Sequence, residues 1–122
     1  MNIPFHKYHH GNLRDDILKA AYSFVRENGY AAMSLRGIAD QCNVSATAIY
    51  RHYETKEHLL ADVVVKGFIE FNMSVEGKEE DDIFQRSENY LAFAFDNYNI
   101  YDLLFSQSVV EFLKFPQILE VA

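Results

Sequence analysis

From Leu13 onward the apolar positions fall three or four residues apart. Leu13, Ile17, Ala20, Ala21, Phe24 and Val25 form one stripe, the period of a helix buried along one side. Asn12 stands where an N-cap is expected, and Asp15 and Asp16 fall in the first turn, where carboxylates suit the helix dipole. Asn28-Gly29 predicts the end of this helix, because glycine accepts left-handed geometry. Ser34 is expected to cap a second helix, Leu35 to Cys42, buried through Leu35, Ile38 and Ala39. Asn43-Val44-Ser45 predicts a tight turn. Ser45 then caps a third helix, Ala46 to Tyr53, and Thr55 a fourth that starts at Lys56.

The fourth helix is predicted to run through Leu59, Leu60, Val63 and Val64 towards Phe68 and Phe71. A charged break, residues 77–82, precedes a fifth helix from Ile83 to about Asn97. Asn97-Tyr98-Asn99 reads as a turn, followed by short helices around Tyr101–Ser106 and Val109–Phe115, the last interrupted by Pro116. No period-2 strand and no internal repeat interrupts this pattern, so the expected fold class is all-α.

Composition bounds the reading. The 122 residues hold one cysteine, Cys42, which can form no internal disulfide and no Cys-rich zinc site. The longest apolar run, Tyr90 to Phe95, is too short to span a bilayer, and no basic-then-apolar leader opens the chain, so a cytoplasmic protein is expected. The net charge of −7 argues against nucleic-acid binding until the chain is divided. Residues 1–66 hold eight Lys/Arg against seven Asp/Glu and all five histidines. Residues 67–122 hold three against eleven and carry eleven of the eighteen aromatics. Any polyanion contact therefore belongs to the first part, with the acidic part turned away from phosphates.

Ser34 to Lys56 is the segment with a functional signal. Two short helices joined by a three- or four-residue turn make a helix-turn-helix, whose second helix enters the major groove. Ala39 is small where the helices cross, Asn43 tolerates positive φ in the turn, and Val44 and Ile49 are apolar anchors. Periodicity alone is equally compatible with an ordinary antiparallel helix pair.

Phe24 to Leu60 resembles the DNA-binding domain of TetR/AcrR-family transcriptional regulators. The resemblance rests on Asn28-Gly29-Tyr30 after helix one, on Ser34-Leu35-Arg36-Gly37-Ile38-Ala39, and on Tyr50-Arg51-His52-Tyr53 followed by Lys56-Glu57. The stretch from Tyr8 to Arg14 is similar to a short arm found in one branch of the family, and Tyr90 to Phe105 faintly to that branch's effector domain. Asn43 stands where glycine is usual, and Tyr53 where phenylalanine is more frequent.

The resemblance implies a helix-turn-helix domain over residues 1–55, and a connecting helix with part of a helical effector-binding and dimerisation domain over 56–122. On the third helix, Ala46 and Thr47 are short enough to meet base edges, a thymine methyl included, beside Tyr50 and Arg51. Tyr50 and His52 can reach phosphates. Ser34 and Lys56 match the family's clamps on the backbone, Ser45 is a cap that also sits at this face, and Arg36 and Lys7 are weaker candidates. Ser34, Ser45 and Thr55 also make sense as caps alone, and Ile49 and Tyr53 as core. For the second half the family implies a pocket for a small, often apolar or aromatic effector, with Phe68, Phe71, Tyr90, Phe93, Tyr101 and Phe105 as candidate lining. These rings serve equally well as core. Effector binding would shift a pair of DNA-reading heads and release the operator.

His6, His9 and His10 lack a nearby cysteine or acidic partner, so no metal is expected. Cys42 reads as a small buried residue, and Glu79–Asp82 as a solvated turn without calcium-loop spacing. No cofactor site or catalytic constellation is expected, and the chain does not read as an enzyme. The reading is thus a repressor that binds double-stranded operator DNA, responds to an unknown small molecule and is a homodimer when complete. The 122 residues are expected to be part of a longer chain and to dimerise weakly by themselves. The alternatives are a helical protein-interaction module or truncated regulator without operator binding, and a small helical enzyme built on the aromatic cavity.

Overall fold

The computed structural model describes residues 12–76, 83–105 and 117, and among these every regular element is a helix. The order is α1 Leu13–Asn28, α2 Leu35–Gln41, α3 Ala46–Tyr50, α4 Lys56–Glu76, α5 Ile83–Asp96 and α6 Tyr98–Phe105. The expected helices at Val109–Phe115 and the charged break at 77–82 lie outside the described residues. The chain divides into two compact units, residues 1–60 and 61–122. The first unit takes in the opening turn of α4, so the division falls inside that helix.

In the first unit the helix ends follow from single side chains. Ser34 Oγ accepts from the Gly37 N–H at 3.0 Å, Ser45 Oγ from Ala48 N–H at 3.2 Å, and Thr55 Oγ1 from His58 N–H at 3.1 Å. Each satisfies a donor that the helix start would otherwise leave without a partner. Gly37 belongs to this device, since a Cβ there would lie 3.0 Å from the Ser34 hydroxyl oxygen. Asn12 departs from expectation. Its side chain makes no capping bond, and only its carbonyl engages the helix, accepting from Asp16 N–H at 3.0 Å.

Gly29 ends α1 at φ 86°, ψ 158°. That is not the left-handed helical region expected for it but the extended positive-φ region, which only glycine enters readily. Asn43 has φ 59°, the left-handed geometry foreseen for the turn. Two helices are shorter than their sequence patterns suggest. α2 ends at Gln41 with Cys42 as its C-cap, and α3 ends at Tyr50 with Arg51 as its C-cap. Helical bonding still carries past Tyr50, from Arg51 N–H to Thr47 O at 3.2 Å and from Tyr53 N–H to Ile49 O at 2.9 Å, and Tyr53 is buried on the same side as Ile49.

That core is made of Ile17, Ala21, Tyr22, Val25, Met33, Leu35, Ile38, Ala39, Cys42, Ile49, Tyr53, Leu59 and Leu60, all buried. In the second unit Ala61, Val63 and Val64 of α4, Phe93 of α5 and Ile100, Leu103 and Leu104 of α6 are buried. Gly67 sets how closely α6 lies on α4. A Cβ there would come within 2.9 Å of a Leu104 methyl and 3.1 Å of an Ile100 methyl.

The expected turn at 97–99 is reduced to Asn97. Helical bonding is kept on its flanks, from Asn97 N–H to Phe93 O at 2.9 Å and from Tyr101 N–H to Asn97 O at 2.8 Å, and α6 resumes at Tyr98.

Candidate functional site

α3 has one buried residue, Ile49, which fixes how the short helix sits. With Ile49 inward, Thr47, Tyr50 and Arg51 share the solvent face at i, i+3 and i+4. All three are exposed, Tyr50 at 48%, and Ala46 is half-buried at the N-terminal edge of the same helix. The backbone either side is tied down. Val44 N–H donates to Ala39 O at 3.0 Å and Asn43 N–H to Asp40 O at 3.1 Å, which closes the turn from α2. Beyond α3, the N–H groups of His52 and Tyr53 both donate to Ile49 O at 2.9 Å.

Arg14, which no pattern along the sequence marks, holds the far end of this turn. Its Nη1 donates to the His52 carbonyl at 3.2 Å, and its guanidinium lies 4.6 Å from the centre of the Tyr53 ring. A planar cation stacked on an aromatic and bonded beside it is a favourable use of arginine. Tyr53 in turn meets the His58 ring edge-on at 5.1 Å. The signal was present in the sequence only as an arginine two residues after the expected cap, on the exposed side of the α1 stripe.

The remaining nominated residues divide by what already occupies them. Ser34 and Ser45 use a lone pair for capping, which leaves each hydroxyl proton able to donate elsewhere. Lys56 is half-buried, and its Nζ donates to the Ala31 carbonyl at 3.1 Å, tying the loop after α1 to the start of α4. Arg36 is exposed on α2, and His52 is half-buried. Lys7, His6, His9 and His10 lie outside the described residues. Among the described residues no three of His, Cys, Asp or Glu gather as metal ligands. Cys42 is buried 3.8 Å from the Asp16 carbonyl, and desolvation, reinforced by the Asp16 charge, pushes its thiol pKa up.

In the second unit the six nominated aromatics meet one another. Phe71 makes edge-on contacts with Tyr90, Phe93 and Phe105 at 5.2–5.5 Å between ring centres. Phe68 meets Phe105 at 5.9 Å, and Tyr101 lies 4.9 Å from Phe105. The hydroxyls of Tyr90 and Tyr101 share a 2.7 Å hydrogen bond, which heads the causes that raise the Tyr90 pKa.

Two cavities open beside this cluster. One of about 460 Å³ is lined by Val75, Ile83, Arg86, Ser87, Tyr90 and Leu91. The other, about 240 Å³, is lined by Tyr90, Leu91, Ala94, Phe95, Tyr98 and Tyr101. Of the six expected lining residues only Tyr90 and Tyr101 face either space. Phe68, Phe71, Phe93 and Phe105 spend their rings on each other.

Two capped helices, a turn with a left-handed asparagine at its centre, and a short second helix with its polar face outward define a helix-turn-helix domain of the kind that reads DNA. Residues 17–63 match the family described as bacterial regulatory proteins, tetR family. Over 55 residues it is 33% identical to the HTH-type transcriptional repressor KstR of Mycobacterium tuberculosis and 31% identical to KstR of Rhodococcus jostii. Those matches span 45% of this chain and about a quarter of each relative. A TetR-family transcriptional regulator structure from Vibrio parahaemolyticus shares the fold, with a TM-score of 0.55 at 21% identity over 88% of this chain and 64% of that one.

Proposed function

We propose that the chain is the operator-reading part of a homodimeric transcriptional repressor, released from DNA by a small-molecule effector that binds the second unit. The observation that carries this is the face of α3. Thr47 and Tyr50 of a five-residue helix, and Arg51 at its C-cap, stand outward together, locked from behind by Ile49. They belong to a family domain whose relatives here are named repressors. In this reading Thr47 and Ala46 meet base edges, and Arg51 and Tyr50 meet bases or phosphates. The protons of Ser34 and Ser45 and the remaining donors of Lys56 serve the backbone, with His52 and Arg36 beside them. A dimer sets the spacing of two half-sites, because one such helix reads only a few base pairs. Such a protein works where the DNA is, in the cytoplasm, and needs neither cofactor nor catalytic group.

For the effector, Tyr90 and Tyr101 are the two nominated aromatics that reach open space. Phe68, Phe71, Phe93 and Phe105 form the wall behind them. The test is a gel shift with the DNA upstream of the protein's own gene. A retarded complex that weakens steeply with salt supports the reading. Each phosphate contact removed should lower the slope of log K against log salt by about 0.9. Retardation equal for that DNA and for unrelated sequence of the same length would refute it.

A further inference from the structure

The 240 Å³ groove of the second unit is built almost wholly of aromatic rings. Tyr90, Phe95, Tyr98 and Tyr101 line it with Leu91 and Ala94, and none of the six carries a charge. Tyr90 and Tyr101 are held by their shared hydrogen bond with rings nearly perpendicular, at 87° and 5.8 Å between centres. Phe95 and Tyr98 are different, standing 83% and 64% exposed. Aromatic surface left open beside a packed cluster is what a ligand site looks like before it is filled.

This half of the sequence is acidic. Residues 61–122 hold twelve Asp/Glu against four Lys/Arg. On α5 and α6 the charged groups are Arg86, Glu88, Asp96 and Asp102. Arg86 lines the neighbouring cavity, one turn before Tyr90, whereas Asp96 and Asp102 follow Phe95 and Tyr101 in the chain. An anion is therefore disfavoured here, while ring faces carry partial negative charge that attracts cations.

We propose that the groove between α5 and α6 binds a small organic cation, a quaternary or protonated tertiary ammonium with an apolar body, held against Tyr90, Phe95, Tyr98 and Tyr101. This rests on the reading that the second unit takes an effector, and it names that effector's chemical class. The apolar body is buried against Leu91 and Ala94, and the positive end lies against the ring faces, away from Arg86 of the other cavity.

Benzyltrimethylammonium is the probe, compared with neopentylbenzene, in which carbon replaces the nitrogen, and with phenylacetate as an anion. The whole 122-residue protein is titrated by calorimetry and by tyrosine fluorescence, which no tryptophan obscures. The cation should bind roughly 2- to 30-fold more tightly than its neutral isostere, the range expected for cation–π contacts between exposed and desolvated sites. Tyr98→Leu should abolish that preference, and Tyr98→Phe should retain it, since the ring and not the hydroxyl is needed. Tyr98 is exposed, so both variants should keep the wild-type circular dichroism. The proposal is overturned if the isostere or phenylacetate binds as well as the cation, if no probe binds saturably, or if Tyr98→Leu keeps the preference. A gel shift run in parallel separates the two readings. A cation that binds without dissolving the DNA complex refutes the effector role alone. A complex dissolved only by a neutral or anionic compound refutes the cation and leaves the effector role standing.

Discussion

Ile17, Met33, Ile38, Ile49, Tyr53 and Leu59 in the first unit are at 2% exposure or less, while Phe84, Phe95 and Tyr98 in the second are exposed at 76%, 83% and 64%. The first unit buries its large apolar groups and shows polar ones where α3 faces out. The second packs one aromatic cluster and leaves other rings in solvent. On the proposed function, a helix that reads base edges must be held in place from behind, and its unit spends its apolar residues on its own core. A unit proposed to take an effector keeps apolar surface for it.

The sharpest way to break this contrast is to cut one ring from each unit. Tyr53→Ala empties a fully buried site and removes the surface on which Arg14 stacks. It should destabilise the protein by roughly 3–5 kcal/mol in urea denaturation. Phe95→Ala, at a more exposed position, should fall within about 0.5 kcal/mol of wild type. Equal losses would mean that Phe95 is covered, and the contrast would fail.

On the DNA side the largest expected effects are on α3. Thr47→Ala should change sequence preference at one base pair, by about 1–3 kcal/mol, and leave the salt dependence alone. Lys56→Ala should weaken binding to every sequence alike and lower the salt slope. Lys56 also bonds the Ala31 carbonyl, so its loss should shift the melting temperature as well. Affinity and slope both unchanged in Lys56→Ala would remove it from the interface.

A smaller effect belongs to the turn. Asn43 holds φ 59° with a short polar side chain, a geometry that a Cβ without such help tolerates poorly. Asn43→Ala should cost about 1 kcal/mol of stability, and Asn43→Gly should be neutral or slightly stabilising. The reverse order would show that the side chain acts through contacts and not through the backbone angle.

The capped starts of α2, α3 and α4 were readable because a serine or threonine before an apolar run can satisfy the free N–H groups of the helix it opens. The turn asparagine and the buried Ile49 and Tyr53 were readable for similar local reasons. The early ends of α2 and α3 were not, because Cys42, Arg51 and His52 are acceptable helix residues. Arg14 on the His52 carbonyl joins residues 38 apart, and no pattern along the chain encodes such a partner. In the second half, period and composition marked Phe68, Phe71, Tyr90, Phe93, Tyr101 and Phe105 as apolar. They could not say which rings would turn to each other and which would face open space.

The smallest effect lies at Cys42, between the two helices it touches, and it tests whether the first unit's interior is as dry as its side chains suggest. Burial and the Asp16 charge raise the thiol pKa above its ordinary 9.0, so the folded state keeps the proton that the unfolded chain releases first. Below about pH 9 both states are protonated and the thiol adds no pH dependence. As the pH rises past that point, the unfolded state binds fewer protons than the folded one, and stability falls until the folded thiol also ionises. Cys42→Ala lacks this loss. The stability of wild type relative to Cys42→Ala, measured by urea denaturation at pH 8 and again at pH 10, should therefore move against wild type at the higher pH. Tyrosines and lysines titrate in both proteins and cancel in the difference. A difference that stays constant between the two pH values would mean that water reaches the thiol, and that the packing of α1 against α2 is looser than the buried positions of Ala21, Ile38 and Cys42 indicate.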